Sequence, residues 1–406
     1  MKKASFWLLA VSLLFSCSTS ESSLSSSLEP SSPAVTSSSE ILSSDSEEPI
    51  SSEPSSEPSS EVFSVSSEEP SSSKSSFVPE DGVFDFYCVN DFHGSIVEQT
   101  PRYYEGGIAK VFGQLKAYKD ADPEHVFIFS AGDMFQGSLE SNDNLGSLVV
   151  ESMNYVGFDA MTVGNHEFDY GLEPLLNNVE ALDCPVLAGN IMNYGTTTPW
   201  TDQIDISTVI ERGGNRVGIV GMIGSGQTTS ISSNIVQDLD FVLPDKLALA
   251  EAKRLREEED CNLVIYVIHN DMSSCIDYAA DKEYFDGVFC GHTHSKNLRM
   301  RNKVPFVQCY CNGQGISHFQ ITVTNGSSTC TKYETISSQE SWPEDEGLVA
   351  IRDKYILDPD FSAKANAFAG NIVGTLAAKE GVSNFACKAI FEKYKDLFLQ
   401  SLYHFP

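Results

Sequence analysis

From Gly82 onward the sequence repeats one device: a short apolar run with strand character ends, and the next few residues include Asp, Asn or His. Val83–Val89 leads into Asn90-Asp91-Phe92-His93-Gly94, and the run Val126–Phe129 leads into Gly132-Asp133. Phe158–Val163 leads into Gly164-Asn165-His166-Glu167-Phe168-Asp169, Leu263–Ile268 into His269, and Asp286–Cys290 into Gly291-His292-Thr293-His294. Helical periodicity fills the intervals at Gly107–Lys119, Leu145–Val156, Tyr170–Leu182 and Asp245–Asp260, with further strands at Val186–Ala188 and Arg216–Gly221. Strands alternating with helices of this length predict an α/β domain with a mainly parallel sheet. In such sheets ligands gather outside the carboxyl ends of the strands. Five polar loops at strand ends, holding five of the eight histidines, therefore predict one shared site.

The residue types restrict its chemistry. Asp91, His93, Asp133, Asn165, His269, His292 and His294 offer carboxylate, carboxamide and imidazole without thiolate, a set suited to Mn, Fe or Zn. That is more than one ion needs. With one bridging carboxylate, the set predicts two divalent ions about 3.5–4 Å apart, able to polarise phosphoryl oxygens and activate a water.

These same blocks resemble the motifs of the calcineurin-like metallophosphoesterases, and within them the secreted 5'-nucleotidase and 2',3'-cyclic-nucleotide phosphodiesterase branch. Asn90-Asp91-Phe92-His93-Gly94, Gly132-Asp133-Met134-Phe135-Gln136-Gly137-Ser138, Gly164-Asn165-His166-Glu167-Phe168-Asp169 and Gly291-His292-Thr293-His294 carry the resemblance, in order, over residues 82–335. It implies a layered α/β/β/α sandwich with the dimetal site at the strand carboxyl ends. It also implies that Asp91, His93 and His294 hold the first metal, that Asn165, His269 and His292 hold the second, and that Asp133 bridges. His166 and Asp169 match the family's catalytic pair, Asp169 orienting an imidazole that stabilises the phosphoryl transition state or protonates the leaving oxygen. The substrate implied is a small phosphate ester, a nucleotide above all. Glu167 is read as structural, and His125, His318 and His404 as ordinary.

Two departures stand out. His269-Asn270-Asp271 lacks the glycine that the family usually has two places after the histidine, which alters the loop and keeps the ligand. Residues 336–406 read as a helical linker and the start of the family's second domain, with Ser362–Lys393 resembling the linker and first helix. On that reading Pro406 leaves no room for a nucleobase pocket. The competing expectation is a surface lipoprotein that keeps the metal-binding fold and is inactive on nucleotides.

The first eighty residues have another character. Met1-Lys2-Lys3, the apolar run Phe6–Phe15 and Leu14-Phe15-Ser16-Cys17 resemble a bacterial lipoprotein leader, with lipidation expected at Cys17. Two acyl chains make a stable anchor at about 0.8 kcal/mol per buried methylene. Residues 18–80, rich in Ser, Glu and Pro, predict a disordered, extended tether. The chain is thus expected on the outer face of a bacterial membrane, as a monomer. A net charge of −31 excludes a nucleic-acid partner bound through phosphates. Removing Cys17 from ten cysteines leaves an odd number, so full pairing is impossible. Cys88, Cys261 and Cys290 lie in or beside apolar runs, and the cysteines are read as mostly reduced core residues.

Overall fold

Gly82–Val89 alternates strictly: Phe84, Phe86 and Cys88 face one way, Tyr87 and Val89 the other, and all five are buried. A strand covered on both faces must lie inside a layered structure. The computed structural model describes residues 77–100 and 102–370. Cys17, nearly all of the 18–80 tether and residues 371–406 lie outside the described residues.

The strands, in chain order, are β1 (Gly82–Val89), β2 (Val126–Ser130), β3 (Ala160–Thr162), β4 (Val186–Leu187), β5 (Ile191–Asn193), β6 (Ser207–Arg212) and β7 (Asn215–Ile223). They continue as β8 (Leu239–Phe241), β9 (Leu263–His269), β10 (Gly287–Cys290), β11 (Asn297–Arg301), β12 (Val304–Gln308), β13 (Gly315–Thr324) and β14 (Ser327–Ser337). The helices are α1 (Gly107–Ala121), α2 (Leu139–Asn142), α3 (Ser147–Val156), α4 (Leu172–Ala181) and α5 (Ser233–Val236). After them come α6 (Pro244–Glu257), α7 (Met272–Ala279), α8 (Glu346–Ile356) and α9 (Pro359–Gly370).

Two six-stranded sheets result, ordered β14-β13-β1-β2-β3-β4 and β11-β12-β10-β9-β7-β6, beside a two-stranded β5-β8 ribbon. Each sheet has four consecutive parallel strands, β1 to β4 in the first and β7, β9, β10 and β12 in the second. Antiparallel strands flank them. The inner faces meet in an aromatic core: Phe86 stacks on Phe127 at 5.1 Å, and Phe319 on Phe289 at 4.3 Å. The outer face of the first sheet buries Tyr87, Val89 and Ile128 against α1, α3, α4 and α8. That of the second buries Val220, Val264 and Tyr266 against α6 and α7. This is the α/β/β/α sandwich that the resemblance implied.

The element reading from sequence requires correction in three places. The chain's strands do not end at Cys290: four more follow, and β13 pairs with β1 along its length. Their alternation is masked because β14 is largely exposed and β13 buries both faces. The stretch Leu145–Val156 is entered by a separate short helix, α2, and a left-handed Gly146 (φ 89°) begins α3. Periodicity alone pointed to one mainly parallel sheet; the parallel strands are divided between two mixed sheets, the two β layers that the resemblance implied.

Candidate metal centre and catalytic pair

Every polar loop named above leaves the carboxyl end of a strand, and the two sheets bring those ends to one edge of the sandwich. Asp91 and His93 follow β1, Asp133 follows β2 and Asn165 follows β3. His269 ends β9, while His292 and His294 follow β10. All seven come together. Three groups have ligating atoms within 4.8 Å of one another: Asp91, His93 and His294; His93, Asp133 and His166; Asp133, His269 and His292. Asn165 Oδ1 joins the last, 3.1 Å from His269 Nε2 and 3.0 Å from His292 Nδ1. His93 and Asp133 each belong to two of the three groups and so link them into one cluster.

The backbone is bent to make this possible. Asp91 (φ 50°), His93 (φ 50°), Asp133 (φ 57°), His292 (φ 75°) and His294 (φ 52°) are all left-handed. Each costs of order 1–2 kcal/mol relative to ordinary backbone. Five of seven candidate ligands sharing that strain mark the place where the fold is shaped for a site. Gly132 (φ 85°) permits the tight approach of the β2 and β3 loops; a Cβ there would stand 2.6 Å from Gly164 N.

The donor set fits a pair of divalent cations. Asp91 and Asp133 are essentially inaccessible, and buried carboxylates demand countercharge. Burial opposes charge on His269, yet adjacent Asp133 overrides it and drives the imidazole up to about 9. His294 is pushed up to about 10 against its burial, by Asp91 and Cys311. Burial holds His93 and His292 below the ordinary value, as neutral nitrogen donors. His93 Nε2 and His294 Nε2 face each other at 2.9 Å, close enough for one cation to take both nitrogens.

Surrounding groups fix the orientation of these side chains, a role shared by outer-shell partners of metal sites generally. His93 Nδ1 lies 3.0 Å from Gln136 O, and His269 Nδ1 lies 2.7 Å from Ala131 O. The backbone N–H of His292 donates to both oxygens of Asp91, at 3.0 and 2.9 Å. Asn90 donates to Asp91 Oδ2 (2.7 Å) and to Tyr310 O (2.8 Å), joining the β1 loop to the loop after β12. Thr293 Oγ1 donates to the buried Gln308 Oε1 at 3.0 Å, anchoring the loop between His292 and His294.

Glu167 has a structural role, in agreement with its sequence reading. Its fully buried carboxylate accepts the backbone N–H groups of Asp133, Met134 and Gly164 at 2.7 Å each, with Phe135 at 3.4 Å. It thereby ties the Asp133 loop to the loop carrying Asn165 and His166. Burial and the neighbouring Asp133 push its carboxyl up to about 7, against the pull of those N–H donors. The signal lay inside a motif already singled out, but only the fold shows which backbone groups it serves. The first of the two departures also finds its reason: Asp271, in the usual glycine's place, caps α7 by accepting the N–H of Ser273 at 3.0 Å.

His166 and Asp169 form a pair at the rim. Asp169 Oδ2 lies 2.6 Å from His166 Nδ1, leaving Nε2 free of that bond, and both side chains are about one-third exposed (34% and 28%). The rings of His93 and His166 meet edge to face at 5.0 Å. Burial lowers the tendency of His166 to charge, but Asp169 and Asp133 outweigh it and raise its pKa. Of the remaining histidines, His125 bonds Asp122, and His318 lies between Asp85 and Glu334, away from the site. His404 is outside the described residues.

A layered sandwich with this polar edge defines a class of dinuclear phosphoesterase folds. A family profile described as Calcineurin-like phosphoesterase matches residues 84–296, and the chain belongs to that family. Among curated proteins it is similar to an apyrase of Tabanus yao, 33% identical over 217 residues, covering 51% of this chain and 38% of that protein. It is also similar to the 5'-nucleotidase of Rattus norvegicus, 29% identical over 253 residues, covering 56% and 43%. The chain spans less than half the length of these relatives. Among solved structures, a 5'-nucleotidase precursor from Thermus thermophilus aligns with TM-score 0.59 at 21% identity, over 68% of this chain and 59% of that one. The calcineurin-like phosphoesterase YfkN from Bacillus subtilis aligns with TM-score 0.59 at 16% identity, over 71% and 99%. At such identities the likeness is one of fold.

Proposed function

We propose that this chain hydrolyses phosphate esters outside the cell, nucleotides above all, with two divalent ions held by Asp91, His93, Asp133, Asn165, His269, His292 and His294. The observation that carries the reading is the His166–Asp169 pair at 2.6 Å on the rim of the seven-donor cluster. Holding ions would not need that pair; protonating a leaving oxygen would. Two bound ions supply Lewis acidity toward a phosphoryl oxygen and a nucleophilic water at neutral pH.

The protein's own groups do the rest. Asp133 groups with His93 and His166 on one side and with His269 and His292 on the other, and its Oδ1 accepts the backbone N–H of His166 at 2.7 Å, so setting where the imidazole stands. Asp169 holds Nδ1 and favours the imidazolium, which leaves a proton at Nε2 for the departing alkoxide. Nucleotide preference is supported by the relatives themselves, a 5'-nucleotidase and an apyrase. Anchoring at Cys17, the tether over 18–80, a phosphoesterase domain over 82–335 and a helical linker from 336 are parts of the same proposal. Among the described residues, no helix is long and apolar enough to cross a membrane.

The test is to load the protein with Mn²⁺ and offer 5'-AMP, 2',3'-cyclic AMP and p-nitrophenyl phosphate in parallel. Phosphate release from AMP, abolished by chelator and reduced about a hundred-fold or more in His166→Ala, is the expected outcome. Ions bound at two per chain without turnover of any ester would overturn it in favour of a metal-binding surface protein.

A further inference from the structure

We infer that Cys275 and Cys290 close into a disulfide when the chain folds in an oxidising compartment, and that this bridge ties together the loops bearing His269 and His292. Their Sγ atoms lie 3.8 Å apart, in direct contact, and the two residues are 0% and 1% exposed. A disulfide needs about 2.05 Å, so closure asks for a shift of about 1.8 Å shared between two side chains. Both sulfurs lie in the apolar layer between the second sheet and α6 and α7, among Ile268, Met272 and Val288. Cys275 Sγ also lies 3.4 Å from the Met272 carbonyl oxygen.

The position gives the bridge its meaning. Cys275 lies on α7, which begins three residues after His269; Cys290 ends β10, two residues before His292. β9 and β10 are parallel neighbours with Cys290 opposite Ile268, so α7 folds back over the strand that delivers His292. A covalent link between Cys275 and Cys290 therefore clamps the two imidazoles that group with Asp133, through their supporting elements rather than through the site itself. The sequence reading left the cysteines mostly reduced; spacing along the chain gives no sign that these two of the ten meet.

Formation is a thiol–disulfide exchange with an external low-molecular-weight disulfide. One cysteine thiolate attacks that disulfide, releasing one thiol and leaving a mixed disulfide. The second cysteine then displaces the other thiol. Two S–H bonds are lost, one S–S bond forms, and the two protons and two electrons leave on two thiol molecules. Because both sulfurs are inaccessible in the folded protein, exchange belongs to folding, before α7 closes over β10.

The inference draws its compartment from the extracytoplasmic reading above, but its test does not. The full chain is unfolded and reduced, then refolded either with a glutathione and glutathione-disulfide couple or with reductant throughout. Thiols are alkylated and the digested peptides mapped by mass spectrometry. The expected result is a Cys275–Cys290 linked peptide from the couple, with both cysteines alkylated in the reduced sample. Each preparation is then loaded with Mn²⁺ and challenged with chelator, and the bridged form should lose its second equivalent several-fold more slowly. Cys275→Ala and Cys290→Ala should abolish that difference. Alkylated Cys275 and Cys290 after folding in the couple, or Cys290 joined to another cysteine, would overturn the bridge. Equal metal loss from bridged and reduced protein would overturn its role. Neither readout involves ester hydrolysis, so failure of the hydrolase reading leaves this one standing.

Discussion

At the scale of single residues, the site is a contest between burial and countercharge, and its outcome differs from one imidazole to the next. His166 is the one whose charge state matters to the proposed chemistry. Burial works against its proton, and Asp169 restores it. Replacing Asp169 by Asn removes the charge that raises the His166 pKa, so the fraction able to donate a proton falls at lower pH than before. In Asp169→Asn the alkaline limb of the kcat profile is expected to move to lower pH, with KM little changed; pH-rate curves of the two proteins check this. Glu167 makes a second residue-scale prediction. Glu167→Ala strands three buried N–H groups that now have partners at 2.7 Å, each worth roughly 1 kcal/mol or more. We expect a loss of about 3 kcal/mol in denaturant unfolding, with weaker retention of bound Mn²⁺, because the loops of Asp133 and Asn165 lose their tie.

At the scale of elements, what counts is how each strand and helix is started, stopped and covered. The parallel strands end where left-handed residues turn the chain back across the sheet edge, so the site is made of strand terminations. Helices supply the cover. α8 lies beyond the family match and packs on α1 and α3 through the fully buried Leu348. Its start is fixed by Asp345, whose side chain accepts the Leu348 N–H at 3.0 Å. Asp345→Ala is expected to cost about 1 kcal/mol in thermal or denaturant unfolding while leaving kcat unchanged, since α8 covers the face of the first sheet opposite the inter-sheet core.

For the molecule as a whole, stability depends on buried charge placed where the two sheets and their helices meet. Asp286 enters β10 fully buried, bonded to Arg256 at 2.7 Å, to the Val264 N–H at 2.8 Å and to Lys282. Burial alone would raise its pKa, but Arg256 and Lys282 prevail and lower it. A carboxylate depressed on folding contributes stability that is complete above its unfolded value of about 3.9 and is lost as pH falls through its lower folded value. The melting temperature should therefore drop as pH falls below about 4. Asp286→Asn should already be less stable at pH 7, by about 3 kcal/mol, and should show a shallower acid limb. Melting curves from pH 2 to 7 for both proteins decide it.

Much of this was written in the chain. Alternating apolar runs ending in Asp, Asn or His were enough to name all seven candidate ligands, because strand ends in a parallel sheet must share one edge wherever the individual strands lie. The His166–Asp169 pair was legible for a local reason: three residues apart in one tight turn, they cannot help meeting. Other features are relations between distant segments, and nothing local encodes them. That two sheets stand back to back depends on Phe86, Phe127, Phe289 and Phe319 finding one another across the chain. That Glu167 serves the backbone of Asp133, and that Cys275 lies against Cys290, follows from which strands become neighbours. The sequence determined which groups face the site, through periodicity and turn chemistry; only the tertiary structure decided which of them touch, because contact across tens or hundreds of residues is settled by packing of the whole.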